Sequence, residues 1–165
     1  VNLPINAVAD AVLDQLAPAA GYDDDVAMVV YRHALAPLRI ETEATPDQLA
    51  PIRRQLTSWL QAAAVGEELT SDIVLVVSEA CTNCIEHAYV GHDVGVILLE
   101  MEAVNGEVRS RITDSGSWKP PAENPGNGGR GLLLMRAMSE LMEVENRPDG
   151  TTIGLVFRLA DAEGH

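Results

Sequence analysis

One predicted helix organises the chain, and its central part is Ser78-Glu79-Ala80-Cys81-Thr82-Asn83-Cys84-Ile85-Glu86-His87-Ala88-Tyr89. From Thr70 to Val90, apolar residues recur at three- and four-residue spacing, which is the period of a helix that buries one face. At about 100° per residue, four polar side chains fall on one arc beside that face; they are Glu79, Asn83, Glu86 and His87. Asparagine inside a helix costs about 0.5–0.7 kcal/mol relative to alanine. The arc is therefore either a functional site or an ordinary solvated face, and this helix alone leaves both open.

Composition limits the class of protein. The chain has 165 residues, is 47% hydrophobic and carries a formal net charge of −14. This suits one domain, or one domain plus a fragment, with an aliphatic core. Such an acidic surface repels phosphate backbones and anionic lipids, so we expect neither nucleic acid nor a membrane as a partner. No apolar run approaches about 18 residues and no signal peptide is visible, so we expect a cytoplasmic protein.

The two cysteines form a C-x-x-C pattern. A redox motif of this spacing begins at a helix N-terminus, whereas Cys81 and Cys84 lie in mid-helix among apolar neighbours. A zinc site is also disfavoured, because there is no second pair of ligands. We therefore predict two buried thiols in the core.

Periodicity and turn residues predict a layered domain. Strands are predicted at 38–42, 94–102, 107–113, 141–146 and 151–159, and helices at 45–64, 70–90 and 131–139. Thr45 is predicted to cap the first of these helices, and Asn105-Gly106 to turn a hairpin. Residues 117–130 are rich in Pro, Gly and Asn and predict a long loop, of a length that is usually functional or mobile. The fold class is therefore α/β, an α+β sandwich whose mixed, mostly antiparallel sheet has helices packed on one face.

Three motifs outside the central helix have the chemistry of a nucleotide site. Asp114-Ser115-Gly116 ends a strand, where a carboxylate accepts from an exocyclic amine and glycine admits a flat ring; a plain turn is the alternative. Gly126 to Gly131 enters a helix, where free backbone N–H groups and Arg130 favour an anion. Gly150-Thr151-Thr152 opens the last strand. The threonine hydroxyls there could reach a base or a bound water; the alternative is that these β-branched residues are present because they suit a strand. Because no strand precedes the G-x-G-x-x-G at 126–131, the Rossmann fingerprint is excluded.

The order and spacing of these motifs resemble a known superfamily. Glu79-x-x-x-Asn83, Asp114-x-Gly116, Gly129-x-Gly131 and Gly150-Thr151-Thr152 resemble the N, G1 and G2 boxes and the final Gly-Thr of GHKL (Bergerat-fold) ATPases. Within that superfamily the chain looks like the anti-sigma-factor serine/threonine kinases of bacterial partner-switching systems. The resemblance implies a Bergerat-fold kinase domain at 37–160, followed by a tail at 161–165.

The resemblance also implies a role for each matching residue. Asn83 matches the ligand of the Mg²⁺ that bridges the ATP phosphates, and Glu79 matches the general base for the substrate hydroxyl. Asp114 and Gly116 match the pair that reads adenine. The other matches lie on the base side or near the phosphates: Thr152, His87, Gly129, Arg130, Gly131 and Leu132. The implied cofactors are ATP and Mg²⁺.

The implied partners are an anti-anti-sigma (STAS) protein, which the kinase phosphorylates, and a sigma factor, which it sequesters. A homodimer is left open. Two alternatives also stay open: a nucleotide-dependent binding module with little kinase turnover, and the catalytic domain of a sensor histidine kinase. The latter needs a phosphoacceptor histidine on a dimerising helical hairpin, and neither His33 nor the helix at 46–64 provides that pattern.

The N-terminal residues resemble a different family. A short helix predicted at 5–17 is followed by Asp23-Asp24-Asp25 and by a strand predicted at 26–31. Residues 1–36 look like the C-terminal end of a PPM-type serine/threonine phosphatase domain. In that family Asp24 matches the last metal-ligating aspartate, which suits Mg²⁺ or Mn²⁺. An acidic turn before a strand is the alternative.

Overall fold

The computed structural model describes residues 5–16, 28–29, 35–88, 95–115, 130–147 and 150–159. The chain divides into two compact units, residues 36–159 and residues 1–35 with 160–165. In the latter unit, α1 spans Ile5–Leu16, which confirms the helix predicted at 5–17. Of the predicted strand at 26–31, only 28–29 are described, and they are in neither helix nor strand. Asp24 and the predicted tail at 161–165 lie outside the described residues.

Among the described residues of the larger unit, five strands form one sheet in the order β1-β2-β3-β5-β4. They are β1 (Leu38–Glu43), β2 (Val96–Val104), β3 (Glu107–Asp114), β4 (Leu141–Arg147) and β5 (Gly150–Arg158). All four pairings are antiparallel, so the part of the sheet that the structure describes is antiparallel and not mixed. The reason lies in the topology: β3 and β4 both run antiparallel to β5, which separates them. A helical crossover such as the one between β3 and β4 usually joins two neighbouring parallel strands. Here β3 and β4 are not neighbours, so they do not form a parallel pair.

The described helices of this unit pack on one face of the sheet. They are α2 (Leu49–Ala62), α3 (Glu67–Asn83) and α4 (Arg130–Met138); a 3₁₀ turn (Pro46–Gln48) precedes α2, and a π-helical turn (Cys84–Ala88) follows α3. No described helix combines the length and the apolar character needed to cross a membrane.

The start of the second helix differs from the prediction. Thr45 has the extended backbone of an N-cap residue, but its side chain makes no capping hydrogen bond. Its hydroxyl instead donates to the carboxylate of Asp47, which lowers the pKa of that carboxyl. The predicted capping role of Thr45 is therefore wrong, because a nearby acidic acceptor competes with the capping geometry.

The core lies between the sheet and these helices. Alternate residues of β2, β3 and β5 are buried against the inner faces of the helices. The largest fully buried side chains include Ile52, Leu56, Leu60, Ile73, Ile97, Leu99, Ile112 and Phe157. Each such aliphatic or aromatic side chain stabilises the fold by about 1.5–3 kcal/mol relative to leaving it exposed.

Both cysteines belong to this core, as predicted. Cys81 and Cys84 are free thiols, and both are buried. Burial raises the pKa of Cys81 to about 12. The thiol of Cys81 is therefore protonated near neutral pH, which is the behaviour of a structural rather than a reactive cysteine.

Candidate functional site

The last turn of α3 presents two polar side chains of the predicted site. Glu79 and Asn83 are four residues apart and both are half-buried, so they lie on the same side of the helix. Asn83 is the final residue of α3, and a π-helical turn follows at Cys84–Ala88. The continuous helix predicted at 70–90 is thus interrupted directly after Asn83. Turns of this kind are rare in proteins, and those that occur are often found at functional sites.

Helix α4 places a glycine directly against this pair. A Cβ atom at Gly131 would lie 3.3 Å from Asn83 Nδ2, 3.4 Å from Asn83 Oδ1 and 3.4 Å from Glu79 Oε2. Gly131 is in the first turn of α4, and the buried Met135 one turn later anchors the helix in the core. The missing side chain therefore leaves a cradle where a helix N-terminus faces a carboxylate and a carboxamide. A helix N-terminus favours negative groups such as phosphate.

The end of β3 provides the third polar group, the carboxylate of Asp114. Asp114 is only 6% exposed. The thiol of Cys84, the first residue of the π-helical turn, donates a hydrogen bond to this carboxylate. That contact joins the end of α3 to the end of β3. The structure therefore brings the region of Asn83 and the carboxylate of Asp114 together.

The start of β5 closes the site against Asp114. A Cβ atom at Gly150 would overlap the carbonyl oxygen of Asp114 and would approach Ser115 Cα to 3.2 Å. Only glycine permits this approach of two backbones. Thr151 is paired with Asp114 in the register of β3 and β5 and is also buried. Side chains that are paired in this way share one face of the sheet.

Thr152 is placed differently from the prediction. It pairs with Thr113, and their hydroxyl oxygens are 3.2 Å apart. Because successive side chains alternate between faces, Thr152 lies on the sheet face opposite to Asp114. The structure therefore brings Thr151, and not Thr152, to the side of the sheet that carries the Asp114 carboxylate.

The other predicted site residues are only partly described. Leu132 is half-buried and packs against the core, and its contact with the nucleotide stays a prediction. His87 lies in the π-helical turn and Arg130 begins α4, but their side chains are outside the described part of the structure. Gly116, Gly129 and the predicted loop at 117–130, apart from Arg130, also lie outside it.

A groove between α2 and α3 is also lined by Glu79. It has a volume of about 760 Å³, and its lining includes Arg53, Thr57, Val74, Leu75, Ser78 and Glu79. Arg53 Nε donates to Ser78 Oγ across the groove at 3.1 Å. Glu79 thus contacts the space next to Gly131 and also lines the α2–α3 groove. Sequence patterns did not predict this groove, because it depends on the packing of two helices.

The side chains at this site suit a metal ion that is coordinated mainly by a bound phosphate group and water. Among the described residues, no group of three or more His, Cys, Asp and Glu side chains is arranged to hold a metal ion. Magnesium commonly takes only one or two protein ligands and completes its shell with phosphate oxygens and water. The Asn83 carboxamide, in close contact with the first turn of α4 at Gly131, fits that pattern.

Comparison with known proteins identifies the family to which this domain belongs. Residues 42–157 match the family described as the histidine kinase-like ATPase domain. The chain is 29% identical over 80 residues to the serine-protein kinase RsbW of Listeria monocytogenes serotype 4a, a match that covers 48% of this chain and 51% of the relative. It is 33% identical over 110 residues to the anti-sigma F factor of Bacillus thuringiensis, covering 58% and 73%. The chain thus spans about half the length of the Listeria relative.

A solved structure has the same fold. The crystal structure of the RsbU and RsbW domains of Rv1364c from Mycobacterium tuberculosis matches with a TM-score of 0.63 and 29% identity. The match covers 75% of this chain and 32% of that one. The predicted α/β fold with an antiparallel sheet and packed helices is therefore confirmed.

Proposed function

Because this chain belongs to the family of histidine kinase-like ATPase domains, we propose that residues 37–160 bind ATP with Mg²⁺ and phosphorylate a protein on serine or threonine. The observation that carries the proposal is the position of Glu79, which lies between the Gly131 cradle and the α2–α3 groove. A carboxylate shared by a phosphate site and a protein-facing groove suits a base that acts on a substrate hydroxyl. When bound, MgATP supplies the phosphoryl group and the charge neutralisation that the transfer requires.

At the phosphate end, the carboxamide oxygen of Asn83 would hold the magnesium ion. The free backbone N–H groups in the first turn of α4 would donate to the phosphates, and the absence of a side chain at Gly131 keeps this turn in close contact with Asn83 and Glu79. Arg130, Gly129 and His87 remain proposed phosphate contacts. Glu79 accepts the proton of the substrate hydroxyl, which enters through the α2–α3 groove.

At the base end, Asp114 accepts a hydrogen bond from the exocyclic amine of adenine. Gly150 keeps the two backbones close beneath this carboxylate, and Thr151 is the adjacent hydroxyl on the same face. We therefore assign to Thr151 the base-side contact that the sequence resemblance placed at Thr152. Gly116 remains the proposed second member of the adenine-reading pair.

The partners follow from the same proposal. We propose that the phosphorylated protein is an anti-anti-sigma (STAS) protein and that the domain also sequesters a sigma factor in a partner-switching pathway. The names of the relatives, a serine-protein kinase and an anti-sigma F factor, support this proposal. A binding module without turnover is separated from a kinase by the transfer of label from γ-labelled ATP to a candidate STAS protein. The phosphatase end at residues 1–36, with Asp24 as a metal ligand, stays a prediction.

Nucleotide binding can be tested by thermal unfolding of wild-type protein and of Asn83→Ala. At a hundredfold excess over its dissociation constant, MgATP should raise the free energy of unfolding by about 2.7 kcal/mol, which raises Tm by about 10 °C. We expect Asn83→Ala to bind about a hundredfold more weakly, so that the same concentration contributes only about 0.4 kcal/mol. Chelating the magnesium should reduce the wild-type shift to that of the variant. A full, metal-dependent shift in Asn83→Ala would remove Asn83 from the metal site.

Gly131→Ala should separate binding from stability. The added methyl group would meet Asn83 and Glu79 at 3.3–3.4 Å, so both side chains must move and the cradle is filled. We expect the affinity for MgATP, measured by calorimetry, to fall about tenfold, while helix propensity raises the free energy of unfolding by up to about 1 kcal/mol. Gly154→Ala is the matched control, because its nearest neighbour would be Glu143 Cβ at 3.9 Å. Unchanged affinity in Gly131→Ala would show that no ligand occupies the cradle.

A further inference from the structure

The thiol of Cys84 connects the metal end of the site to its base end. Cys84 directly follows Asn83 and is 3% exposed, and its thiol donates to the buried Asp114 carboxylate. Burial, together with the nearby carboxylate, raises the pKa of this thiol well above its ordinary value. A thiol is a weak hydrogen-bond donor, and its acceptor here is a carboxylate. No catalytic step proposed above uses this contact.

The hydrogen bond from Cys84 restricts the orientation of the Asp114 carboxylate. A carboxylate has two oxygens, and a donor that is fixed on one of them limits rotation of the whole group. A hydrogen bond to a charged acceptor is stronger than one between neutral groups. Cys84 is held on a packed helix, and Asp114 is held by the β3–β5 pairing and by the close approach of Gly150. Both ends of the contact are therefore anchored.

We propose that Cys84 is a positioning residue that orients the Asp114 carboxylate and so determines the preference for adenine over a base with a carbonyl group at the same place. This inference rests on the proposed function, in which Asp114 reads the exocyclic amine. One oxygen is occupied by the thiol, and the other is presented to the nucleotide. Without the thiol, the carboxylate gains freedom to rotate, and its selectivity for a donor at that position falls.

The test compares ATP with ITP, which carries an oxygen in place of the exocyclic amine. Dissociation constants for both nucleotides with Mg²⁺ are measured by calorimetry on wild type, Cys84→Ala and Cys84→Ser. In Cys84→Ala we expect ATP affinity to fall about tenfold and ITP affinity to change less than about threefold, so that the ATP/ITP preference falls. Cys84→Ser retains a donor and should keep the wild-type preference within about threefold.

The chain offers a matched control in Cys81. Its thiol lies one turn earlier and is buried in the same core, and Asp114 is not among the groups that shift its pKa. Cys81→Ala removes the same volume, so it should lower Tm by a similar amount and leave the ATP/ITP preference unchanged. In an Asp114→Asn background, Cys84→Ala should cause no further loss of preference.

The outcomes separate this inference from the proposed function. If wild type prefers ATP but Cys84→Ala keeps that preference, the positioning role is wrong and the nucleotide site stands. If wild type binds ATP and ITP equally, the adenine-reading role of Asp114 falls, and the inference falls with it. Should Cys84→Ala not fold, Cys84→Thr and Cys84→Val give the same comparison at larger volume, because they differ in a hydroxyl against a methyl group. An equal ATP/ITP preference in Cys84→Thr and Cys84→Val would also overturn the inference.

Discussion

Glu79→Gln is expected to lower the rate of phosphoryl transfer by about 10²–10⁴-fold, the range that general base catalysis usually contributes. Glutamine retains the size and hydrogen-bonding capacity of the side chain but cannot accept the substrate proton. Because Glu79 only borders the Gly131 cradle, we expect the affinity for MgATP to change less than about threefold. The measurement is a single-turnover assay with γ-labelled ATP and a STAS partner, alongside calorimetric binding of ATP.

Glu86→Gln is the matched control for this prediction. The sequence places both glutamates on one arc of the predicted helix, but the structure leaves Glu86 exposed in the π-helical turn and half-buries Glu79. Transfer by Glu86→Gln should therefore stay close to that of wild type. Full transfer by Glu79→Gln would overturn the assignment of the base and leave the nucleotide site intact. An equal loss in both variants would point to a general effect of charge.

Gly150→Ala is expected to have the largest effect on stability. The new methyl group would overlap the carbonyl oxygen of Asp114, which belongs to the backbone of β3 and cannot rotate away. Relief requires the β3–β5 ladder to open at the end that carries the site. We expect the free energy of unfolding to fall by about 2–4 kcal/mol, and MgATP affinity to fall because Asp114 is displaced.

Urea unfolding checks this expectation, with Gly154→Ala in the same strand as the control. An alanine at 154 would meet only Glu143 Cβ at 3.9 Å, so its free energy of unfolding should change by less than about 1 kcal/mol. If Gly150→Ala unfolds at the same urea concentration as wild type, the backbones of β3 and β5 can separate at Asp114 without loss of stability. The close approach would then not be what holds Asp114 in place.

Much of the fold followed from local patterns. β-rich composition, alternation at 107–113 and turn residues predicted the strands of the β2–β3 and β4–β5 hairpins to within about two residues at each end. The helical period predicted α3, although not the π-helical turn after Asn83. Four-residue spacing of Glu79 and Asn83 also predicted their common face, since that relation is fixed within one helix.

Features that depend on pairing between distant segments were not accessible from local patterns. Whether Thr151 or Thr152 faces Asp114 depends on the register of β5 against β3, and a shift of one residue exchanges the two faces. The contact between Cys84 and Asp114 requires the packing of a helix on a strand. Periodicity predicted that Cys84 would be buried, but it did not identify the group beside it.

The strand order has a consequence for biosynthesis. In chain order β5 follows all the other strands of the sheet, yet it lies between β3 and β4. A nascent polypeptide that has emerged only as far as β4 lacks the strand that joins the two halves of the sheet. Asp114 then has no Gly150 beneath it and no Thr151 beside it. On the proposed function, nucleotide therefore cannot assist the early steps of folding on the ribosome, since the residues assigned to base recognition come together last.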